Sequence, residues 1–301
     1  MMAGNGAILV FGATGRHGAT GRFVASDLKR RGHTVRALVR QEDDRSRSLS
    51  VNGIETVVGD LHDHRTLAPA LDGVSAAYFT YPIAAGVIDA AGNFAAAARG
   101  SSLERTVVMS MAVTRPDSPS ALGRAQWIAE DLLQWAGLET VNLRVAALFA
   151  ENIELLHGRE IVEEGLMRNS FGDAPISWIT GDDAGKLAVA ALLHPERLNG
   201  ETTIYPSGGA QFSHGEIASV LSKKLGKPVR HETVSRREWA DRLIRQSALD
   251  DRLNPDMADH IAAVGLALRD TLPLNPWFEN LTGESPTSII QAIQQGQLGN
   301  W

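Results

Sequence analysis

The chain has 301 residues, 44% of them hydrophobic, a formal charge of -6 and no cysteine. This supports one large or two modest domains around a substantial core, and it excludes disulfides, thiolate catalysis and cysteine-ligated metal. The negative charge speaks against direct nucleic-acid binding, which calls for a basic face, and the most apolar stretch, Val74 to Ala98, is too interrupted by Pro82, Asp89 and Asn93 for a membrane span.

The first strand, Ala7 to Phe11, begins almost at once with no signal-type leader, so a cytoplasmic protein is expected. It passes directly into Gly12-Ala-Thr14-Gly15-Arg16-His17-Gly18, after which helical periodicity runs to Arg31. Strand, glycine turn and helix N-terminus together make a dinucleotide-binding pattern. Gly12 permits the sharp turn, Gly15 lets the backbone approach a pyrophosphate, and Gly18 brings the helix close to the strand. The free N–H groups and the positive dipole end then face the phosphates. A strand-to-helix turn can use glycine for geometry alone, but the context on both sides favours binding.

Thr34 to Val39 is the next strand, and at its end stands Arg40, where an NAD-binding protein would place a carboxylate for the ribose. An arginine there suits a 2′-phosphate, so NADP is favoured over NAD, although Glu42, Asp43 and Asp44 argue the other way if the strand ends later. Glu55 to Val58 is a third strand, followed by Gly59, Asp60 and Leu61; Asp60 can equally start the helix through Thr66 to Leu71. His62, Asp63 and His64 sit together at a helix start but point different ways, and no metal site is expected. Val74 to Thr80 is a fourth strand whose end places Thr80 and Tyr81 at the crevice where ligands bind. Ala84 to Arg99 is an alanine-rich helix. Arg105 to Met109 is a fifth strand running on into Ser110 and Met111, Ala121 to Ala136 is a helix closed by Gly137, and Thr140 to Arg144 is a sixth strand. This alternation predicts an α/β fold built on a doubly wound parallel sheet.

Beyond it the pattern loosens. Glu151 to Phe171 is mixed, Ser177 to Ile179 a short strand, and Asp182 or Asp183 the simplest N-cap for a helix over Ala184 to Leu193. Thr202 to Tyr205 is a strand; Ser213 and Glu216 make a capping box for a helix to Leu225. Pro228 to Glu232 is extended, and Arg236 to Arg245 is a helix with a solvated arginine face. His157, His194, His214, His231 and His260 have no motif spacing and read as surface or structural residues.

The Gly-x-x-Gly-x-x-Gly spacing resembles the short-chain dehydrogenase/reductase superfamily, and Gly12-Ala-Thr-Gly15-x-x-Gly18 resembles its atypical NmrA-like branch. Similar phrases follow at Ala136 to Leu138, Val141 to Arg144, Phe149-Ala-Glu-Asn152, Asp183-Ala-Gly185, Gly226 to Val229, Leu281 to Gly283 and Pro286-Thr287. The resemblance implies a Rossmann domain over residues 1–152 and a smaller substrate region over 153–301, some of whose segments return to the first sheet. It also implies that Asp60 and Leu61 lie against the adenine. The departure is informative. Catalytic members of the superfamily use Tyr-x-x-x-Lys, whose lysine lowers the tyrosine pKa. The residues four beyond Tyr78, Tyr81 and Tyr205 are Pro82, Ala85 and Gly209, and on the family pattern Leu122 and Gln126 occupy the places of the tyrosine and lysine.

Two functions remain open. One is a reductase that passes hydride from NADPH to an electron-poor small molecule (iminium, quinone, enone or dye) without a dedicated acid, as the resemblance to dye and quinone reductases implies. Its substrate pocket would be Tyr81, Ser110, Met111, Gln126, Trp127, Phe149, Asn152 and Trp178. The other is a redox sensor that binds NADP or NAD without turnover and reports to a protein partner, as the family's namesake does.

Overall fold

The computed structural model describes residues 6–15, 19–267 and 273–299, so Arg16, His17 and Gly18 of the glycine turn lie outside it. Short apolar runs buried on both faces belong in a parallel sheet covered on both sides. The first half supplies β1 (Ala7–Val10), α1 (Thr20–Arg30), β2 (Val35–Val39), α2 (Asp44–Val51), β3 (Glu55–Val58), α3 (His64–Leu71), β4 (Val74–Phe79), α4 (Val87–Ala98), β5 (Arg105–Met111), α5 (Ala121–Trp135) and β6 (Thr140–Val145). The second half supplies β7 (Leu148–Phe149), α6 (Asn152–Glu164), β8 (Leu166–Asn169), β9 (Ile176–Ile179), α7 (Gly181–Leu193), β10 (Thr203–Ile204), β11 (Gln211–Phe212), α8 (His214–Leu225), β12 (Arg230–Thr233), α9 (Arg236–Ser247), α10 (Pro255–Ala267), α11 (Trp277–Thr282) and α12 (Ile289–Gln294).

The main sheet has seven strands in the order β3-β2-β1-β4-β5-β6-β10, all parallel. This is the Rossmann order with one late strand added, and it reverses direction between β1 and β4, where a doubly wound sheet opens its crevice. One face packs on α1 and α7 through Val24, Leu28, Tyr78, Leu143 and Leu187. The helices approach closely there, since a Cβ on Gly185 would lie 2.5 Å from the Phe23 ring. The other face packs on α3, α4 and α5 through Leu9, Leu67, Phe94 and Leu133, with Phe11, Phe79 and Phe94 in mutual ring contact. A small sheet, β11-β9-β7, and a parallel pair, β12-β8, carry the remaining core with α6, α8, α9, α10 and α12.

Several local expectations change. The helix cap ahead of α7 is Thr180, which accepts from the Asp183 amide, and not Asp182 or Asp183. Asp183 is instead buried, accepting from Lys186 Nζ at 2.9 Å and from the Thr287 amide at 2.6 Å. That bond joins two of the family-like phrases across the chain. Asp63, not Asp60, caps α3. The segment Glu151 to Phe171, expected to be mixed, resolves into α6 and β8. His157 and His214 are each 1% exposed, stacked among Trp239, Phe171, Trp178 and His231. No helix among the described residues is long and apolar enough to cross a membrane.

Candidate functional site

The site is built by the carboxyl ends of β1, β2, β4 and β5. After Phe11 the chain turns through Gly12 at φ 71°, a left-handed conformation, and a Cβ there would lie 2.7 Å from Thr80 Cγ2. The Gly15 amide closes the turn by donating to the Gly12 carbonyl at 2.9 Å. A close helix-to-strand approach is made at Gly21, on α1, where a Cβ would lie 2.6 Å from the Gly12 and Phe11 carbonyl oxygens, while Gly18 lies outside the described residues. Gly21 extends the three-residue glycine period by one step, and that is the signal by which it could have been found.

Ala19, at the N-cap of α1, has φ 48° and offers no side-chain acceptor, and the first turn carries no acid. An alanine in the left-handed region is strained, as residues at ligand-binding turns often are. Among the described residues, therefore, no side chain caps the helix start and no acid in its first turn compensates the positive end, which is what a pyrophosphate requires. These features fit a dinucleotide.

Beyond β2, Thr14, Arg40, Gln41, Asp43 and Arg45 line a pocket of about 260 Å³. Arg40 is exposed and has no hydrogen bond or ion pair among the described residues. Arg45, which the sequence did not single out, reaches back to donate to the Thr14 carbonyl at 3.1 Å. It comes from α2, a polar helix that starts because Asp43 and Ser46 form a capping box.

On the far side of the turn, Asp60 Oδ1 accepts from the His62 amide at 2.9 Å, and Asn93 Nδ2 donates to the Leu61 carbonyl at 2.9 Å. A second pocket, of about 470 Å³, is lined by His62, Ile88, Asp89, Gly92, Asn93 and Leu132. The Tyr81 hydroxyl donates to the Ala85 carbonyl at 3.1 Å and lies 2.9 Å from His62 Nε2. Burial, then the nearby charges of Asp60 and Asp89, push its pKa up.

The other two tyrosines are also engaged. Tyr78 is fully buried and donates to Thr20 Oγ1 at 2.8 Å, and burial raises its pKa. The Tyr205 hydroxyl accepts from Arg144 Nη1 at 2.7 Å, while Arg144 Nε and Nη2 donate to Glu130 at 3.0 and 2.6 Å. Glu130 is almost wholly enclosed, and burial pushes its pKa up despite that arginine. Among the described residues, each tyrosine hydroxyl finds its partners elsewhere than on a lysine.

The residues expected to line a substrate pocket separate into two groups. Ser110 and Met111 end β5 at the crevice, Ser110 Oγ lying 3.1 Å from Thr114 Oγ1. Phe149 in β7 is half-buried, and Asn152 opens α6 with a buried Oδ1 that has no hydrogen-bond partner among the described residues. Gln126, by contrast, is buried within α5, and Trp178 is 1% exposed with its indole N–H donating to the Phe212 carbonyl at 2.9 Å. Trp178 packs the core beneath the second sheet, because β9 is covered on both sides.

A helix not anticipated from the sequence, α10, crosses this end of the sheet. Asn254 Nδ2 donates to the Ile83 carbonyl at 3.1 Å, Asp256 accepts from the Ala85 amide at 2.8 Å, and His260 Nδ1 lies 2.6 Å from Ser120 Oγ. Met257, Ile261 and Val264 pack with Ile83 and Met111. The mouth beyond β4 and β5 is therefore covered by an apolar strap held at its start and at its middle.

The model of the NmrA-like family matches residues 4–126. The chain is 31% identical over 231 residues to an NAD(P)H azoreductase of Xenophilus azovorans, covering 76% of this chain and 77% of that one. It is 32% identical over 226 residues to a (4-alkanoyl-5-oxo-2,5-dihydrofuran-3-yl)methyl phosphate reductase of Streptomyces griseus, covering 75% and 76%. In fold it is similar to an NADPH-dependent quinone oxidoreductase of Escherichia coli solved with NADPH, with a TM-score of 0.81, 21% identity and coverage of 97% and 100%.

Proposed function

The chain belongs to the NmrA-like family, and on that premise we propose that it is an NADPH-dependent reductase of electron-poor small molecules, quinones and azo or cationic dyes foremost. The observation that carries the reading is the start of α1, without a side-chain cap, beside a pocket lined by Arg40, which has no polar partner among the described residues. Gly12, Thr14 and Gly15 cradle the pyrophosphate, with Arg16, His17 and Gly18 continuing the cradle by the family pattern. Arg40 takes the 2′-phosphate, and Asp60, Leu61, Thr80 and Tyr81 flank the adenosine and nicotinamide halves. Residues 1–152, joined by α7 and β10, form the cofactor domain, and the rest supplies the acceptor site. A relative named for NAD(P)H and azo reduction supports the acceptor class.

When bound, the reduced nicotinamide supplies the hydride. What this chain contributes is orientation and exclusion of water under α10, which can be worth roughly 7–11 kcal/mol. Among the described residues the tyrosines offer no strong acid: each hydroxyl is hydrogen-bonded elsewhere, and Tyr78 and Tyr81 have raised pKa values. Acceptors that need little protonation at the moment of transfer are therefore favoured.

The test is NADPH consumption with a panel of quinones, azo dyes and cationic dyes. Turnover with one of these classes, and little with simple ketones, is expected. Tight dinucleotide binding with no turnover would replace the enzyme by the sensor, and preference for plain ketones would contradict the mechanism.

A further inference from the structure

Resting on the reading of the Arg40 pocket as the seat of the 2′-phosphate, we propose that Asp43 sets how strongly this chain discriminates NADPH from NADH. It does so by holding the pocket's second arginine, Arg45. The segment after Gln41 is polar and has no apolar stripe, so its helix depends on a cap. Asp43 Oδ1 provides that cap, accepting from the Arg45 and Ser46 amides at 3.0 Å each. Its other oxygen, Oδ2, accepts from Arg45 Nε at 3.0 Å and Nη2 at 2.7 Å. One carboxylate thus fixes the helix start with one oxygen and neutralises a guanidinium with the other.

The remaining Arg45 nitrogen, Nη1, is directed at the Thr14 carbonyl. All three nitrogens of the Arg45 guanidinium are engaged, whereas Arg40 is free of polar partners among the described residues. The charged groups lining the pocket are Arg40, Arg45 and Asp43, so it presents one net positive charge instead of two. A phosphate gains the planar fork of Arg45 only if Arg45 leaves Asp43. A ribose hydroxyl needs nothing from Arg45. Asp43 therefore lowers the advantage of NADPH over NADH and leaves the pyrophosphate cradle untouched, and it acts as a positioning and specificity-determining residue.

The test is Asp43→Asn, which preserves an N-cap of equal quality and removes the charge. Equilibrium titrations with 2′,5′-ADP and 5′-AMP, and with NADPH and NADH, isolate the phosphate from any chemistry. The affinity ratio of the phosphorylated to the unphosphorylated ligand is expected to rise about five-fold or more, and the gain to shrink at high salt. Adding Arg45→Met to Asp43→Asn should abolish the gain, because Arg40 is then again the pocket's net charge. An unchanged or lowered ratio in Asp43→Asn, with thermal unfolding like the wild type, overturns the proposal. Should Asp43→Asn not fold, Asp43→Ser, which also caps without a charge, takes its place, and an unchanged or lowered ratio there overturns the proposal. If Arg40→Ala leaves the ratio unmoved as well, the pocket reading falls and the proposal with it; a normal Arg40→Ala response with a flat Asp43→Asn overturns the proposal alone.

Discussion

Ser120 Oγ lies 2.6 Å from His260 Nδ1, a buried contact that joins the start of α5 to the middle of α10. The same hydroxyl caps α5 by accepting from the Gly123 amide at 3.3 Å. Ser120→Ala removes both bonds and is expected to cost about 1–3 kcal/mol, part of it from the cap and part from the lost contact with His260. Asn254 and Asp256 still hold the other end of α10, so the strap loosens without detaching. In kinetics with a quinone acceptor, KM should rise more than kcat falls, and urea denaturation should show the loss of stability. Unchanged stability and unchanged KM would show that the contact secures neither helix.

Tyr81→Phe should retain most of the reductase rate. The hydroxyl is bound between Ala85 and His62, and its pKa is pushed up, so it is poorly placed to give a proton. A dedicated proton donor contributes typically about 100- to 10,000-fold. A loss of that size in steady-state kinetics would identify Tyr81 as a general acid.

How far the sequence reveals the fold depends on where apolar period and cap chemistry agree. The glycine turn, the apolar strands and the Ser213–Glu216 capping box are legible because one local cause fixes each. The helix 44–51 is not: within it only Ser46 and Leu49 are buried, so there is no stripe to read, and the Asp43 cap alone starts it. With that helix hidden, Arg45 could not be placed beside Arg40. The helix at Pro255–Ala267 carries His260 to Ser120, 140 residues away in sequence, and no spacing rule reaches that far. Trp178 has the composition of a pocket wall, but a strand covered on both sides hides every side chain, and only the second sheet's partners show this.

Stability should fall on mild acidification. His157 and His214 are neutral in the fold because burial, more than neighbouring charge, depresses their pKa, that of His157 from 6.5 to about 3. In the unfolded chain both titrate near the ordinary value, so below about pH 6.5 the unfolded state binds more protons and stability declines. Each histidine contributes a slope of up to about 1.4 kcal/mol per pH unit in that window. Glu130 and Glu151, raised by burial, act in the opposite sense, so the effect is read as a difference between proteins. His157→Phe keeps the stack on Trp239 and should flatten the stability profile between about pH 5 and 7. Denaturation curves that stay parallel with pH in both proteins would refute this.

The most direct measurement is the equilibrium titration of wild type and Arg40→Ala with NADPH and NADH. The pocket beyond β2 holds Arg40, which has no polar partner among the described residues, beside the glycine turn, so wild type should bind NADPH more tightly than NADH. Arg40→Ala should weaken NADPH by about ten-fold or more and leave NADH within a small factor, because only the former has a 2′-phosphate to lose. Equal losses for both cofactors, tighter binding of NADH by wild type, or no binding of either would contradict the account.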